Sequence, residues 1–218
     1  MSQDEERIGW TWILKPSVAN KGLDITIVHD FNDILDTTEE CSDMREWVLQ
    51  RYIANPLTVN GHKFHLRVYV LCVGALKVYV YGGSGILMLL AAHAYHEDTS
   101  DSFAHLTNTA KGAELSDFDE EKYVLLLDDL PKCLMRDYPE RFVDLNAALV
   151  QVDEIRASIN DITGELFTAY ENEYTVFAPM ANCFEIYGLD FMIDDDFNVS
   201  LLEVIIAQFA HRCSFFIH

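Results

Sequence analysis

The sequence contains little that would suit a secreted, membrane or nucleic-acid-binding protein. Its five cysteines are odd in number, scattered and without a C-x-x-C pair, which favours a reduced, intracellular chain. Basic residues are scarce: 15 Lys and Arg stand against 36 Asp and Glu, so with a net charge of −21 neither a nucleic-acid backbone nor an anionic membrane is the expected partner. The most apolar run, residues 86–92, is too short to span a bilayer. The acidic first residues predict no signal or transit peptide.

The composition does support a substantial core. Half of the residues are hydrophobic and 12% are aromatic, which is enough for one or two domains. Apolar, β-rich stretches predict strands, at residues 9–14, 25–28, 47–53, 63–73 and 76–81. Apolar residues at three- and four-residue steps predict a helix with a loop over 31–45 and one or two amphipathic helices over 141–167. The second segment is expected to pack on the sheet, with docking of a partner as the alternative. Residues 115–131 are expected to form a solvated loop and a short packed element.

The most informative stretch is CFEIYGLDFMIDDDFNVSLLEVIIA, residues 183–207, which predicts an antiparallel hairpin. With a four-residue turn at 195–198, Asp194 would face Val199 and Asp190 would lie opposite Glu203. Like charges opposed across two strands repel, so we expect a cation between them. Two carboxylates together with a substrate's phosphates suit Mg²⁺. Two unrelated acids on a solvated rim remain the alternative.

Residues 63–73, KFHLRVYVLCV, predict a strand whose side chains alternate between two faces. The apolar face holds Phe64, Leu66, Val68 and Val70. The other face holds Lys63, His65, Arg67 and Tyr69. Three potentially cationic side chains on one face repel one another unless anions lie opposite, so this strand and the acidic hairpin are natural halves of a metal–phosphate site. Ordinary cross-strand salt bridges remain the alternative.

Two weaker signals lie upstream. Lys15 closes a strand and Lys21 lies in the turn-rich loop that follows, so together they could hold phosphates by charge. Surface lysines beside a turn are the simpler interpretation. Gln50 is polar in an apolar strand and is either a satisfied core amide or a contact for a purine edge.

Six segments, in this order along the chain, resemble the tubulin–tyrosine ligase-like family, whose catalytic module has an ATP-grasp fold. They are WILKPSVANKG, WVLQRYI followed by NPL, GHKFHLRVYVL, LKVYVY, HLTNT, and FEIYGLDFMID followed by LLEV. The resemblance implies an α+β, ATP-grasp-like fold with a largely antiparallel sheet and packed helices. It also implies a lid subdomain over residues 1–55 and a metal- and phosphate-binding subdomain over residues 56–218.

The resemblance further implies an ATP- and Mg²⁺-dependent ligase that adds an amino acid, tyrosine or glutamate, to a protein carboxylate. The acceptor would be a protein such as tubulin, modified at its C-terminal tail. ATP would activate the carboxylate as an acyl-phosphate, which the amine then attacks. Such a protein would lie in the cytoplasm, on the cytoskeleton or in processing bodies, with neither nucleic acid nor membrane as partner.

Positions that match the family's motifs carry implied roles. The residues that would bind the ATP phosphates are Lys15, Lys63 and, in a mobile loop, Lys21. The residues that would meet adenine are Gln50 and, through their backbone, Tyr52 and Ile53. Those that would border the nucleotide are Thr107 and Asn108. The catalytic residue would be Arg67, facing the γ-phosphate or the acceptor carboxylate, and the metal ligands would be Asp190 and Glu203.

The sequence also departs from the family at site positions. Ile205 stands where ligases usually carry a third metal ligand, Asn, and by strand alternation it shares the face of Glu203. Leu89 stands where many ligases carry a phosphate-binding Arg, and His65 where some carry Asp. These departures, and a net charge that suits an acidic tubulin tail poorly, support an alternative: a catalytically impaired relative that acts as a binding or scaffold protein.

Two other interpretations follow from the same resemblance. A fungal branch of the family, associated with processing bodies, resembles the WILKPS and VYVY segments and makes the scaffold alternative concrete. A different ATP-grasp ligase acting on small metabolites is a third interpretation. Few residues precede the first motif and residues 206–218 do not continue the family's pattern, which predicts a chain truncated at its N-terminus and divergent at its C-terminus.

Overall fold

The computed structural model of the protein describes residues 11–16, 25–40, 46–74, 76–82, 85–116, 119–173 and 180–206. The predicted phosphate-binding Lys21 and the predicted divergence after residue 206 lie outside these ranges. None of the helices within them combines the length and apolar composition that crossing a membrane requires.

The strands form two antiparallel sheets. The small sheet contains β1 (Trp12–Pro16), β2 (Thr26–Val28) and β3 (Trp47–Arg51), in the order β2–β1–β3. The large sheet contains β4 (Thr58–Val59), β5 (His62–Val73), β6 (Lys77–Val80), β7 (Leu87–Leu90), β8 (Val124–Leu126), β9 (Phe184–Ile193) and β10 (Val199–Ile206). Its main path is β10–β9–β5–β7–β8, and β4 and β6 also pair with β5. The predicted hairpin of residues 63–81 is confirmed, with Gly74 in the left-handed region at φ +58°.

Helices accompany the two sheets, so the predicted α+β class is confirmed. They are α1 (Phe31–Glu40), α2 (Ser102–His105), α3 (Thr109–Gly112), α4 (Glu120–Tyr123), α5 (Leu130–Asp137) and α6 (Leu145–Ala169). The long helix α6 begins where the Asp144 carboxylate accepts a hydrogen bond from the backbone N–H of Ala147, at 2.9 Å. Its buried residues are Ala148, Val152, Ile155, Ile159, Thr163 and Phe167.

The predicted apolar face of α6 was wrong at its start. Leu145 and Leu149 are 47% and 46% exposed, whereas Ala148 is fully buried. The buried stripe therefore begins one residue earlier than Leu149. A small side chain at this contact lets the helix approach its neighbours closely, which the spacing of large apolar residues could not reveal.

The alternation predicted for β5 is confirmed. Phe64, Leu66, Val68 and Val70 are at most 1% exposed and belong to the same core cluster as residues of α6. Fully burying each such side chain contributes roughly 1.5–3 kcal/mol. A register slip of one residue would send the charged face of the strand into the core, so packing fixes the direction in which the polar side chains point.

The β9–β10 hairpin has Asp190 opposite Glu203, as predicted, but reaches this pairing by another route. Val199 pairs with Ile193 rather than with Asp194, so the predicted turn register was wrong. The Asp194 carboxylate accepts hydrogen bonds from the backbone N–H groups of residues 196 and 198, at 3.0 and 2.8 Å, which starts the turn one residue earlier. A β-bulge at Leu202 then adds one residue and restores the predicted pairing.

Candidate active site

A cleft of about 890 Å³ is lined by residues of the small sheet and of the polar face of the large sheet. It brings together the predicted site residues that the structure describes: Lys15, Gln50, Tyr52, Ile53, Lys63, Arg67, Thr107, Asn108, Asp190 and Glu203. Residues far apart in the sequence therefore share one cavity. Their individual roles stay predictions.

One row of charged side chains crosses three adjacent strands at the floor of the cleft. Arg67 on β5 pairs with Asp190 on β9, which pairs with Glu203 on β10. The guanidinium holds both oxygens of Asp190: Nε donates to Oδ1, and Nη2 donates to Oδ2 at 2.9 Å. This bidentate geometry is the strong form of an arginine–carboxylate pair. Asp190 itself is only 3% exposed.

Glu203 has a perturbed acidity because of this row. Loss of water around its carboxylate, followed by the negative charge of Asp190, raises the pKa of Glu203 above its ordinary value, while the charges of Lys15 and Arg67 oppose the rise. Glu203 is nevertheless exposed, so solvent screens part of the effect. The predicted repulsion between Asp190 and Glu203 thus contributes to this pKa, while the Arg67–Asp190 pair is a cross-strand salt bridge of the kind given above as the alternative.

Asp190 and Glu203 could supply two of the ligands of a Mg²⁺ ion but not a complete set. No group of three or more His, Cys, Asp or Glu side chains within the described ranges is arranged to hold a metal ion. Asp190 and Glu203 supply two carboxylates, and Mg²⁺ commonly completes such a set with water and phosphate oxygens of its substrate. Ile205 lines the cleft, as predicted, and offers no oxygen. A cation at Asp190 would also compete with the guanidinium of Arg67.

Lys15 joins the two sheets across the cleft. Its Nζ donates to the backbone carbonyl of Leu202 at 3.2 Å. Leu202 is the extra residue of the β-bulge in β10. A bulged residue lacks its regular ladder partner, so its carbonyl can accept from a side chain. The sequence predicted Lys15 but gave no sign of this acceptor.

A second polar cluster lies further along the cleft and is buried. Lys63 is 3% exposed, and its Nζ donates to Tyr52 Oη at 2.9 Å and lies 4.1 Å from the centre of the Tyr52 ring. Tyr52 Oη is 2.6 Å from Nδ1 of His105, whose Nε2 is 2.9 Å from the carbonyl oxygen of Asp98. Burial lowers the pKa of Lys63 to about 7. The sequence missed the Tyr52 phenol and His105, although His105 opens the HLTNT segment.

His65 and Thr107 fill the space between these clusters. Nδ1 of His65 is 2.6 Å from the Thr107 hydroxyl, and Nε2 is 3.5 Å from Oδ2 of Asp190. That Nε2 is buried without a hydrogen-bond partner in the described part of the chain. Burial lowers the pKa of His65 to about 4, so the ring is neutral at pH 7. Leu89 on β7 pairs with His65 on β5 and presents an apolar side chain to the same cleft.

Backbone groups at the predicted adenine end are partly engaged. The Tyr52 N–H donates to the carbonyl of Thr11 at 3.0 Å, and the Asn108 carbonyl accepts from the N–H of Lys111 at 2.9 Å. Gln50 pairs with Ile13 on the central strand of the small sheet and is partly buried. Its side chain therefore stands at the cleft rather than in the core.

Gly188 makes room for the charged row. A Cβ at this position would lie 3.2 Å from Cδ of Arg67 and 3.9 Å from Cγ1 of Ile205. Contacts as short as the first require the neighbour to shift. The path of the Arg67 side chain therefore explains why a glycine stands at position 188, in the segment YGLDF. The sequence shows this glycine but not the contact that requires it.

Comparison with known proteins gives matches to a single family. The model of the tubulin-tyrosine ligase family matches residues 1–207. A probable tubulin–tyrosine ligase of Schizosaccharomyces pombe is 36% identical over 167 residues, which are 75% of this chain and 36% of the relative. The probable tubulin–tyrosine ligase PBY1 of Saccharomyces cerevisiae is 30% identical, over 93% of this chain and 30% of its own length.

More distant relatives carry other names. Tubulin glycylase 3C of Tetrahymena thermophila is 27% identical, over 88% of this chain and 18% of its own length. This chain thus spans about a third of the two fungal relatives and less of the glycylase. The resemblance seen in six motifs is confirmed, and the chain belongs to the tubulin–tyrosine ligase family.

Proposed function

We propose that this chain binds ATP with Mg²⁺ and forms the activating site of a ligase that joins an amino acid, tyrosine or glutamate, to a protein carboxylate. The observation that carries the proposal is the cleft in which the row Arg67–Asp190–Glu203 stands beside the buried Lys63. Relatives named as tubulin ligases and glycylases make the tubulin tail, in the cytoplasm, the acceptor to test first.

The nucleotide would lie across the cleft between a lid of residues 1–55 and a metal- and phosphate-binding part of residues 56–218. Because the Tyr52 N–H is already bonded to Thr11, the groups offered to adenine would be the Tyr52 carbonyl, the Ile53 N–H and the Gln50 amide. Thr107 and Asn108 would border the nucleotide. Its phosphates would then extend toward Lys63 and Lys15, with Lys21 over them.

Activation requires a phosphoryl group to move from ATP to the acceptor. A carboxylate oxygen would attack the γ-phosphorus while the bond to ADP breaks and ADP leaves with its electron pair. The amine would then attack the carbonyl carbon, phosphate would leave with the C–O electron pair, and the amine proton would pass to water. Mg²⁺ held by Asp190 and Glu203 would neutralise charge on the phosphates.

Arg67 is suited to hold the anions of this reaction in place. A guanidinium has five N–H donors, of which Asp190 accepts two. The remaining donors can address a phosphate or carboxylate oxygen without breaking the pair. Such positioning and charge stabilisation account for most of the catalysis of phosphoryl transfer.

A second function is favoured by a specific observation. Ile205 and Leu89 present apolar side chains to the cleft where the family resemblance implies a metal ligand and a phosphate-binding arginine. A relative that keeps the fold, with or without the nucleotide, could act as a binding or scaffold protein. The two functions differ in whether Mg²⁺ strengthens ATP binding.

Calorimetry of ATP binding with and without Mg²⁺ tests both functions. Wild type is compared with Ile205→Asn and with Val204→Asn, which adds the same amide at the neighbouring position of β10, on the other face. Mg²⁺-dependent binding by the wild type supports the ligase and justifies a screen of tubulin-tail peptides with labelled tyrosine and glutamate. Binding that requires Ile205→Asn supports the scaffold. Absence of binding in all three proteins overturns the ligase and leaves only a scaffold that needs no nucleotide.

A further inference from the structure

The buried cluster around Lys63 joins three separate segments of the chain. Lys63 comes from β5, Tyr52 directly follows β3, and His105 ends α2. All three are less than 8% exposed, and heavy-atom distances of 2.9 and 2.6 Å link them in the order Lys63, Tyr52, His105. Because buried polar groups without partners destabilise a fold, a fully paired chain of this kind fixes the orientation of each member.

The far end of the chain determines the direction of its hydrogen bonds. The carbonyl of Asp98 can only accept, so Nε2 of His105 carries the proton and donates to it. In the neutral imidazole, Nδ1 is then an acceptor, and the Tyr52 hydroxyl donates to it. Burial, followed by the neighbouring phenol of Tyr95, raises the pKa of Tyr52 above its usual range, so the hydroxyl keeps its proton. Its lone pairs are therefore available to Lys63.

An ammonium group needs such an acceptor at this depth. Lys63 is a buried cation whose pKa burial lowers to about 7, so the amine is close to losing its charge at neutral pH. The Tyr52 oxygen accepts one N–H, and the ring face lies 4.1 Å from Nζ. Both contacts favour the charged form. The ammonium has three donors, so two remain for a ligand in the cleft that Lys63 lines.

We propose that Tyr52 and His105 are positioning residues for Lys63: His105 orients the Tyr52 hydroxyl, and that oxygen holds the Lys63 ammonium charged and directed toward a polyphosphate in the cleft. This inference rests on the proposed function for its ligand, and on the three residues alone for its geometry. Neither residue needs to touch the phosphate.

The first test measures Lys63 in the ligand-free protein. Lysine labelled with ¹³C at Cε is followed by NMR during a pH titration, and the Lys63 signal is assigned by its loss in Lys63→Arg. Tyr52→Phe keeps the aromatic ring and removes only the oxygen. We expect it to lower the pKa of Lys63 by about one unit, the size of one hydrogen bond to a charged group. An unchanged pKa in Tyr52→Phe overturns the inference, whether or not ATP binds.

The second test measures ATP affinity as a function of pH. Because the charged lysine binds phosphate, wild-type affinity should fall as the pH rises through the pKa of Lys63. We expect Tyr52→Phe to bind ATP about fivefold more weakly at pH 7, because lowering the pKa by one unit reduces the charged fraction of Lys63 from about a half to about a tenth, and to move the midpoint of the profile about one unit lower. The other titratable groups around the cluster are His65, Tyr95, His96 and Asp101, whose side chains this variant retains, and Tyr95 is the one that interacts directly with the Tyr52 hydroxyl.

Two His105 variants separate orientation from packing. His105→Asn keeps an acceptor near the position of Nδ1 and should retain most of the affinity, whereas His105→Leu should lose several-fold. Tyr138→Phe is the matched control, because Tyr138 Oη bonds Thr58 at 3.0 Å outside the cleft and shares only the loss of a hydroxyl. A wild type that binds no ATP overturns the proposed function and the phosphate role together. A wild type that binds, with the same midpoint in Tyr52→Phe, overturns this inference alone.

Discussion

Neutralising the two carboxylates of the charged row should change stability in opposite directions. In Asp190→Asn, the Arg67 guanidinium loses the charge that holds its Nε and Nη2. Removing one partner of a buried pair costs about 3–5 kcal/mol. The Arg67 side chain is 25% exposed and stays near Glu203, so we expect a loss of about 2 kcal/mol in the free energy of unfolding.

Glu203→Gln removes a repulsion and leaves the Arg67–Asp190 pair intact. Charged pairs opposed on a sheet change stability by about 0.2–1 kcal/mol. Because solvent screens Glu203, the variant should be unchanged or more stable by up to about 0.5 kcal/mol. The two neutralisations should therefore differ by about 2 kcal/mol or more, although they remove the same charge from adjacent strands.

Urea unfolding at pH 7, followed by circular dichroism, measures both variants. Glu165→Gln, on the exposed side of α6, is the control and should stay within about 0.5 kcal/mol of the wild type. If Mg²⁺ and ATP stabilise the wild type, both variants should lose that stabilisation while their ligand-free stabilities diverge. Equal destabilisation by Asp190→Asn and Glu203→Gln would refute the assignment of the repulsion to this pair.

Three further predictions concern the large sheet and the helix α6. Gly188→Ala should displace the Arg67 side chain and cost about 1 kcal/mol in urea unfolding, since its Cβ would lie 3.2 Å from Cδ; an unchanged stability would show that the arginine moves freely. Because the pKa of Glu203 is raised from its ordinary 4.5, the folded state holds the Glu203 proton more tightly than the unfolded state does. The free energy of unfolding should therefore fall as the pH rises above 4.5, and this fall should be absent in a urea-unfolding pH series of Glu203→Gln. Ile155→Ala should cost about 2–5 kcal/mol, since Ile155 is 1% exposed; a loss below about 1 kcal/mol would contradict tight packing of α6.

The sequence pattern correctly predicted features that depend only on residues adjacent along the chain, such as which face of a strand a side chain occupies. Strict alternation in β5 placed Lys63, His65 and Arg67 on one face correctly, because packing of Phe64 and Leu66 forbids the other register. The same alternation placed Ile205 beside Glu203, on the cleft side. The pattern of a strand needs only its own residues to be interpreted.

Features that depend on tertiary contacts were not accessible in this way. The pairing of Tyr52 with His105 requires α2 to fold against the end of β3, and no local spacing indicates that contact. The turn register failed because the Asp194 side chain competes with the strand ladder for backbone N–H groups. The start of α6 failed because a small residue, Ala148, rather than a large one makes the close contact.

The β9–β10 hairpin has two separate roles near the bulge at Leu202: it brings Asp190 and Glu203 together, and it offers a backbone carbonyl to Lys15. Leu201 pairs with Phe191 and Glu203 pairs with Asp190, so a chain without Leu202 would alternate regularly and still place the glutamate correctly. What such a shortened strand would lose is the carbonyl that Lys15 bonds. Deleting one residue would thus spare the carboxylate pair and remove the Lys15 hydrogen bond, which together with the Lys63–Tyr52 bond links the small sheet to the large one.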